Sequence, residues 1–267
     1  MRYIVVPVIV ALFLCYGCTG KTEEQQAGQK ADKEVSKTDN PALPGFNRAD
    51  SDEKAIAIAD KVMVAMGGRK AWNEMNTLSW NFLGSRKLTW DKPSGRVRID
   101  NLREGPLETV IINLKDTSDV QVKMNGEVVT DSESLEKYGK FGRSAWINDS
   151  YWLVMPFKLK DSGVTLQYIR EDTTATGESA HILQLTFEEV GDTPNNKYEV
   201  YVSKDRNLVA QWAFYRSKEQ KEPNFNLPWD DYQDYNGLLL ASDRGERDIT
   251  EISVTETPSA DTFTIRN

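Results

Sequence analysis

From residue 77 onward, apolar and polar residues alternate along this chain, and that alternation restricts its fold more than any other feature. Leu78, Trp80 and Phe82 share one parity, and the same two-residue period recurs at residues 110–114 and 120–124. A period of two places the apolar side chains of a strand on one face and the polar ones on the other. Each strand is therefore expected to be covered on one side and hydrated on the other, as in antiparallel sheets.

Turn sequences separate the alternating segments. Asn125-Gly126 is a strong β-hairpin signal, and residues 91–95 (DKPSG) also favour a turn. Further alternating segments lie at residues 164–169, 181–187 and 197–202. Together these patterns predict about ten or eleven short strands. Short turns join neighbouring strands antiparallel.

Two regions have helical spacing instead. Residues 52–66 carry apolar side chains three and four residues apart and are followed by Gly67, which favours an N-terminal helix, with a second short helix at residues 69–75. Residues 131–155 form the other region, whose helical pattern is interrupted by Gly139 and Gly142. Pro156 prevents this second region from continuing as a helix.

The fold class that follows is α+β. A sheet of about ten strands must curl, so we expect a strongly curved antiparallel sheet, an incomplete β-barrel with an N-terminal helix. A curled sheet needs a filled concavity, and the helical insert at residues 131–155 is predicted to cover it as a lid.

The N-terminus carries an export signal. Residues 4–14 are eleven consecutive apolar residues, which fits a signal peptide and is too short for a membrane span of about 20 residues. Gly17-Cys18 resembles the cleavage site of bacterial lipoproteins, so residues 1–17 are predicted to be a lipoprotein signal peptide and Cys18 to be acylated. An ordinary secretory signal is the alternative. Thr19 in place of Asp favours a lipid-anchored location at the outer membrane, facing the periplasm.

A polar segment follows Cys18. Residues 19–50 are rich in Lys, Glu, Gln, Asp and Thr, and their few apolar residues have no period. Such a segment buries too little apolar surface to offset its ordering entropy. Residues 18–50 are therefore predicted to be an acylated Cys plus a disordered tether, and residues 51–267 to be a single domain without disulfides, since both Cys precede it.

Composition excludes several classes of function. The chain has 41 acidic and 33 basic residues and a net charge of −8, which argues against nucleic-acid binding. One His and two Cys argue against most zinc, haem and thiol chemistry, and no metal or cofactor is predicted. Asp230 and Asp231 beside Trp229 leave a carboxylate-based hydrolase as a minor alternative to a non-enzyme.

Aromatic residues provide the candidate site. The chain has seven Trp, more than a plain core requires, and amphipathic rings often line ligand clefts. Strand parity and the insert favour one set of ligand-cavity candidates: Trp80, Phe82, Trp90, Trp152, Met155, Phe157, Trp212 and Phe214. Aromatic residues at alternating positions are also typical of a core, so both interpretations stay open.

Four segments resemble an uncharacterised family of bacterial lipoproteins: residues 66–72, 148–159 (NDSYWLVMPFKL), 190–194 and 198–202. That family is similar to the periplasmic lipoprotein carriers, the LolA/LolB-like proteins, and the resemblance covers about residues 54–244. It implies a half-barrel with a helical lid and an apolar cavity for acyl chains, and carries over no catalytic residue. The implied function is binding of a lipid or other hydrophobic molecule, in envelope lipid or lipoprotein trafficking. An envelope protein-interaction module is the alternative, and the oligomeric state is left open.

Overall fold

The computed structural model describes residues 40–188, 191–259 and 261–266. The predicted signal peptide, Cys18 and residues 19–39 of the predicted tether lie outside these residues. The helices are α1 (Glu53–Ala65), α2 (Gly68–Glu74), α3 (Ser132–Val154) and a short 3-10 helix (Met155–Lys158).

The strands fall into three antiparallel sheets. The first has the order β14-β1-β2-β3-β4-β5-β6, the second β11-β10-β9-β8-β7, and the third is the hairpin β12-β13. The strands are β1 (Thr77–Phe82), β2 (Arg86–Asp91), β3 (Arg96–Asn101), β4 (Leu107–Asn113), β5 (Val120–Met124), β6 (Glu127–Val128), β7 (Val164–Thr173), β8 (Ser179–Phe187), β9 (Lys197–Ser203), β10 (Val209–Tyr215), β11 (Phe225–Pro228), β12 (Asp230–Tyr235), β13 (Leu238–Asp243) and β14 (Ile249–Thr255).

This architecture confirms the α+β prediction. The sheets are antiparallel and, over the described residues, not closed into a barrel, as expected for an incomplete barrel with an N-terminal helix. The described residues contain fourteen strands, more than the ten or eleven expected. The excess includes the short strands β6 and β11 and the polar strand β12, where alternation is too brief or too weak to predict a strand.

The inward faces of the two larger sheets share one core. In the first sheet Leu78 pairs with Trp90 and Trp80 with Leu88, and all four side chains are buried. The second sheet contributes residues such as Val200 to the same cluster. The parity predicted from the sequence therefore fixes which side of each strand faces the core.

Helix α3 packs closely on the first sheet. It is continuous over 23 residues, whereas the sequence favoured a break at Gly139 and Gly142. A Cβ at Gly142 would lie 2.9 Å from Cγ2 of Ile112, and one at Gly139 would lie 3.0 Å from Cγ2 of Val120. The glycines therefore allow close approach of the helix to β4 and β5, instead of interrupting it.

A short 3-10 helix follows the C-terminal end of α3 and leads the chain back into the core. Pro156 stands near its start, as predicted from the ring's effect on a continuing helix. Phe157 is fully buried, and its ring stacks on that of Trp72 with centroids 4.4 Å apart. The C-terminal end of α3 is thereby held between α2 and the second sheet.

Residues 40–50, which the sequence placed in the disordered tether, pack on the domain. We call them the N-terminal strap. The backbone N–H of Leu43 donates to the carbonyl of Lys160 at 3.0 Å, and that of Asn47 to the carbonyl of Val164 at 3.0 Å. The ordered domain thus begins before the predicted boundary at Ser51. Composition did not reveal this, because backbone hydrogen bonds hold the strap.

A buried polar cluster fixes the start of the strap. Asn40 is 2% exposed; its side-chain amide donates to Oδ1 of Asp60 at 2.7 Å and accepts from Nε of Arg69 at 2.9 Å. Lys160 forms an ion pair with the same carboxylate of Asp60. The polar groups buried here largely satisfy one another, although Nη2 of Arg69 has no partner in the described part of the chain.

Candidate ligand-binding cleft

A cleft of about 650 Å³ lies between the C-terminal half of α3 and the concave face of the second sheet. Its volume is within the range of about 300–1,000 Å³ that is usual for small-molecule sites. The lining residues are Leu43, Ser144, Trp146, Ile147, Asn148, Ser150, Tyr151, Trp152, Lys158, Asp161, Ser162, Val164, Phe187, Gly191, Asp192, Thr193, Asn196, Tyr198, Trp212, Phe214 and Phe225.

One wall of the cleft comes from a face of α3. Ser144, Ile147, Asn148 and Tyr151 follow one another at spacings of three, one and three residues, which places them on one side of a helix. The opposite face of α3 carries the glycines and packs on the first sheet. The close helix–sheet approach on that side therefore sets the position of this wall.

The opposite wall is a layer of aromatic rings on adjacent strands. Tyr198 on β9 stacks on Trp212 of β10 with centroids 5.5 Å apart, and Phe214 of β10 stacks on Phe225 of β11 at 5.1 Å. The ring of Tyr198 also lies next to that of Tyr151 on α3, with centroids 5.4 Å apart, so the two walls contact each other. Such pairs prefer offset or edge-on geometry, which gives the wall a defined shape.

The exposed fractions of the aromatic side chains distinguish the wall of the cleft from the core. Tyr198, Phe214 and Phe225 remain half-buried, while Trp212 is 1% exposed and supports them from behind. Half-buried aromatic side chains in a concave surface are a characteristic of ligand sites. The apolar surface left open here is what a hydrophobic ligand would cover.

Burial keeps the phenols of the cleft uncharged. Desolvation raises the pKa of Tyr198 to about 12. Desolvation, with smaller contributions from Tyr198 and Asp161, raises the pKa of Tyr151 well above its usual value. Both hydroxyls are therefore neutral at physiological pH and act as hydrogen-bonding groups.

The predicted candidates fall into three groups. Trp152, Trp212 and Phe214 line the cleft, and Trp152 meets Trp212 edge-on at 5.0 Å. Four others are buried in the core away from the lining: Trp80, Trp90, Met155 and Phe157. Phe82 lies beside a separate polar pocket of about 460 Å³ and contacts Trp152 edge-on at 5.9 Å.

Several lining residues were not among the sequence candidates, namely Trp146, Tyr151, Phe187, Tyr198 and Phe225. Tyr151 and Tyr198 stand in the segments that resemble the lipoprotein family, which was the available signal. Phe187 alternates with Leu183 and Leu185, so strand parity could have indicated it, whereas Phe225 begins a strand of only four residues that alternation does not predict. Whether a side chain lines the cleft depends on where α3 packs against the sheets, and the sequence pattern does not specify that packing.

Arg244 supports the wall near Trp152 from inside the core. Its side chain is fully buried, lies 3.6 Å above the ring of Trp229, and donates from Nη2 to the backbone carbonyl of Trp152 at 2.7 Å. Burial lowers the pKa of Arg244 to about 9, so the guanidinium is still protonated at neutral pH. The contact satisfies a carbonyl in the last turn of α3, a favourable place for a cation.

A buried ion pair fixes the same helix to the first sheet. Asp149 is 0% exposed and accepts from Nε of Arg86 at 2.6 Å and from Nη2 at 2.8 Å. This bidentate arrangement is the strong form of an Arg–carboxylate contact. Asn148, the next residue towards the N-terminus, donates to the same carboxylate and lines the cleft.

The carboxylates that suggested a hydrolase lie outside the cleft. Asp230 and Asp231 are exposed on β12, where Asp230 pairs with Arg206. Hydrogen bonds from Ser242 and Gln233 hold the pKa of Asp231 below its usual value, so this carboxyl is ionised.

Within the described residues, no group of three or more His, Cys, Asp or Glu side chains is placed to hold a metal ion. No helix in the described ranges is both long and apolar enough to cross a bilayer.

No protein-family model matches this chain, and no curated protein matches it. Solved structures that resemble it include a DUF1329 family protein from Desulfovibrio piger, at 15% identity and a TM-score of 0.44 over 78% of this chain and 96% of that one. An uncharacterized conserved protein from Thermus thermophilus is 13% identical, with a TM-score of 0.32 over 80% and 95% of the two chains. MucB is 12% identical, with a TM-score of 0.29 over 80% of this chain, which spans 64% of MucB.

Proposed function

We propose that this protein is a non-enzymatic binding module of the bacterial cell envelope, which holds the acyl chain of a lipid or a similar hydrophobic molecule in its cleft. The observation that carries the proposal is the layer of half-buried aromatic rings, including Tyr198, Phe214 and Phe225, that faces α3 across an open volume of about 650 Å³. A lipid anchor on Cys18, which the sequence favours at the outer membrane, would hold the domain beside the bilayer that supplies the lipid.

The driving force for binding is the removal of apolar surface from water. Each methylene of an acyl chain contributes about 0.8 kcal/mol when it is buried. Part of this gain offsets the loss of translational freedom and the ordering of the chain. Rigid aromatic walls reduce the cost on the protein side, because their rings are already held by mutual contacts such as Phe214 with Phe225.

Filling the cleft tests the proposal. Ser144 is exposed on the cleft face of α3, so Ser144→Trp would place an indole in the ligand volume without replacing a core residue. We expect this variant to lose about tenfold or more in affinity for a fluorescent acyl probe with an uncharged head group, with little change in melting temperature. Native mass spectrometry of the purified protein would identify any lipid that accompanies it.

Lys140→Trp is the matched control, since Lys140 is exposed one turn earlier on α3 and does not line the cleft. This variant should bind the probe like the parent protein. If Ser144→Trp binds equally well, or if the delipidated parent binds no acyl probe, the cleft does not hold lipid. The interaction-module alternative would then be preferred.

A further inference from the structure

Beside its aromatic rings the cleft is lined by polar side chains, which we call the polar rim and which bear on the head group that a ligand can carry. Six uncharged polar residues line it: Ser144, Asn148, Ser150, Ser162, Thr193 and Asn196. Among the described lining residues the charged ones are Lys158, Asp161 and Asp192. Hydroxyls and amides therefore outnumber charged groups in the described lining.

The single basic residue of the described lining is already paired. Nζ of Lys158 contacts the carboxylate of Asp161, which is largely buried. A carboxylate or phosphate head group could use Lys158 only by displacing Asp161 and leaving that carboxylate without its partner. Removing one member of such a pair is costly where water is partly excluded.

One further feature makes the rim unfavourable for anions. Asp192 adds an exposed negative charge that has no ion-pair partner among the residues described. An anionic head group would therefore meet this negative charge, while the basic residue of the described lining is already paired with Asp161.

The uncharged residues retain hydrogen-bonding capacity. The amide nitrogen of Asn148 donates to Asp149 at 2.9 Å, which leaves its amide oxygen as an acceptor. The amide nitrogen of Asn196 donates to Oγ1 of Thr193 at 2.6 Å, and the hydroxyl of Thr193 remains a donor. Acceptors and donors of this kind match hydroxyl groups on a ligand.

We propose that the cleft selects acyl lipids with an uncharged, hydroxyl-bearing head group and discriminates against free fatty acids and other anionic amphiphiles. This inference rests on the proposed function, because it assumes that the acyl chain occupies the aromatic cleft. It adds that hydrogen bonds at the rim, and not ion pairing, recognise the head group.

Three ligands with the same twelve-carbon acyl chain test the inference: 1-lauroylglycerol, laurate and lauroylcholine. Each would displace the uncharged dye N-phenyl-1-naphthylamine from residues 19–267, a chain that keeps every described residue. The concentrations stay below micelle formation, at about pH 8, where laurate is ionised. We expect the glycerol ester to displace the dye at a concentration about tenfold lower than laurate. It should also bind more tightly than the choline ester, whose trimethylammonium group forms no hydrogen bond with Asn148 or Thr193.

Asp161→Asn separates the charge argument from simple packing. This variant frees Lys158 as an unpaired cation, so the affinity for laurate should rise several-fold while that for the glycerol ester changes little. Asp172→Asn is the matched control, since Asp172 forms an exposed ion pair with Arg170 away from the cleft. It should leave the affinities for all three ligands unchanged.

Equal or tighter binding of laurate or of lauroylcholine by the parent protein would overturn the inference and leave the proposed function intact. An unchanged affinity for laurate in Asp161→Asn would also overturn it. If neither the dye nor any of the three acyl ligands binds, as checked directly by calorimetry, the proposed function fails and the inference fails with it.

Discussion

Tyr198 illustrates how one side chain serves both packing and the cleft. Its ring stacks on Trp212 and contacts Phe214 at 5.2 Å, while the residue remains half-buried. Desolvation raises the pKa of its hydroxyl to about 12, from an ordinary value of 10.0. The folded state therefore holds the phenolic proton more tightly than the unfolded state does.

This difference predicts a loss of stability in alkali. Between about pH 10 and pH 12 the unfolded chain loses the proton first, so the free energy of unfolding falls as pH rises. Tyr198→Phe removes this contribution, and its stability should decline less than that of the parent protein, by about 1–2 kcal/mol near pH 12 after allowance for partial exposure. Denaturant unfolding at a series of pH values measures the difference. Parallel pH profiles for the two proteins would contradict the assignment.

The Arg86–Asp149 pair makes a second prediction at the residue scale. Asp149→Ala would leave a guanidinium without its bidentate partner, and we expect a loss of about 3–5 kcal/mol in the free energy of unfolding. Asp172→Ala removes an exposed partner of Arg170 and should cost no more than about 1 kcal/mol. Urea midpoints of the two variants, compared at the same m-value, would show the contrast. Similar losses for both would mean that Asp149 is not held in a buried bidentate pair.

Among the elements, the strands with clear alternation were predictable and the others were not. Strand β1 could be read from Leu78, Trp80 and Phe82, whose period matches the pleat. Strand β12 could not, because its residues are mostly polar and exposed and pair only within a hairpin. Helix α3 was predicted with breaks at its glycines, since their role depends on contact with β4 and β5, elements distant in sequence. Local periodicity therefore specifies strands, while close approaches between elements escape it.

The same limit applies to the candidate site. Trp152, Trp212 and Phe214 were chosen by spacing and line the cleft, whereas Trp80 and Trp90 have equally regular spacing and lie in the core. The two sets differ because α3 packs closely on the first sheet, which contains Trp80 and Trp90, and leaves a cleft against the second sheet, which contains Trp212 and Phe214. That depends on glycine contacts and the Arg86–Asp149 pair, which no single segment contains.

The N-terminal strap gives a prediction at the element scale. A chain that starts at Asn40 keeps every contact described for the strap and is compared with one that starts at residue 19. A chain that starts at Ser51 loses the hydrogen bonds of Leu43 and Asn47 and uncovers the polar cluster around Asp60. We expect the longer truncation to lower the melting temperature by several degrees, since a loss of about 1 kcal/mol shifts it by about 2–4 °C in a domain of this size. Equal melting temperatures for all three chains would show that the strap does not contribute to stability.

At the scale of the whole molecule, the N-terminal strap, where the described part of the domain begins, lies next to the cleft. Leu43 lines the cleft, and Asn40 is fixed to α1 and α2 through Asp60 and Arg69. Residues 19–39 could span at most about 70 Å if fully extended. An anchor at Cys18 would therefore keep the cleft within that distance of the membrane surface, close enough for exchange of a lipid with the bilayer.

The anchor itself is the last prediction. If Cys18 is acylated after cleavage behind Gly17, two or more acyl chains hold the protein stably at the membrane, whereas one chain would bind only marginally. Cys18→Ser should therefore move the protein from the membrane fraction to the soluble fraction, with unchanged affinity for the uncharged acyl probe because the cleft is unaltered. Cys15→Ser is the matched control: Cys15 follows the bulky Leu14 and is not a site for acylation, so this variant should stay with the membrane. Membrane association that survives Cys18→Ser would refute the lipid anchor, and the cleft would then have to acquire its ligand without a fixed position beside a bilayer.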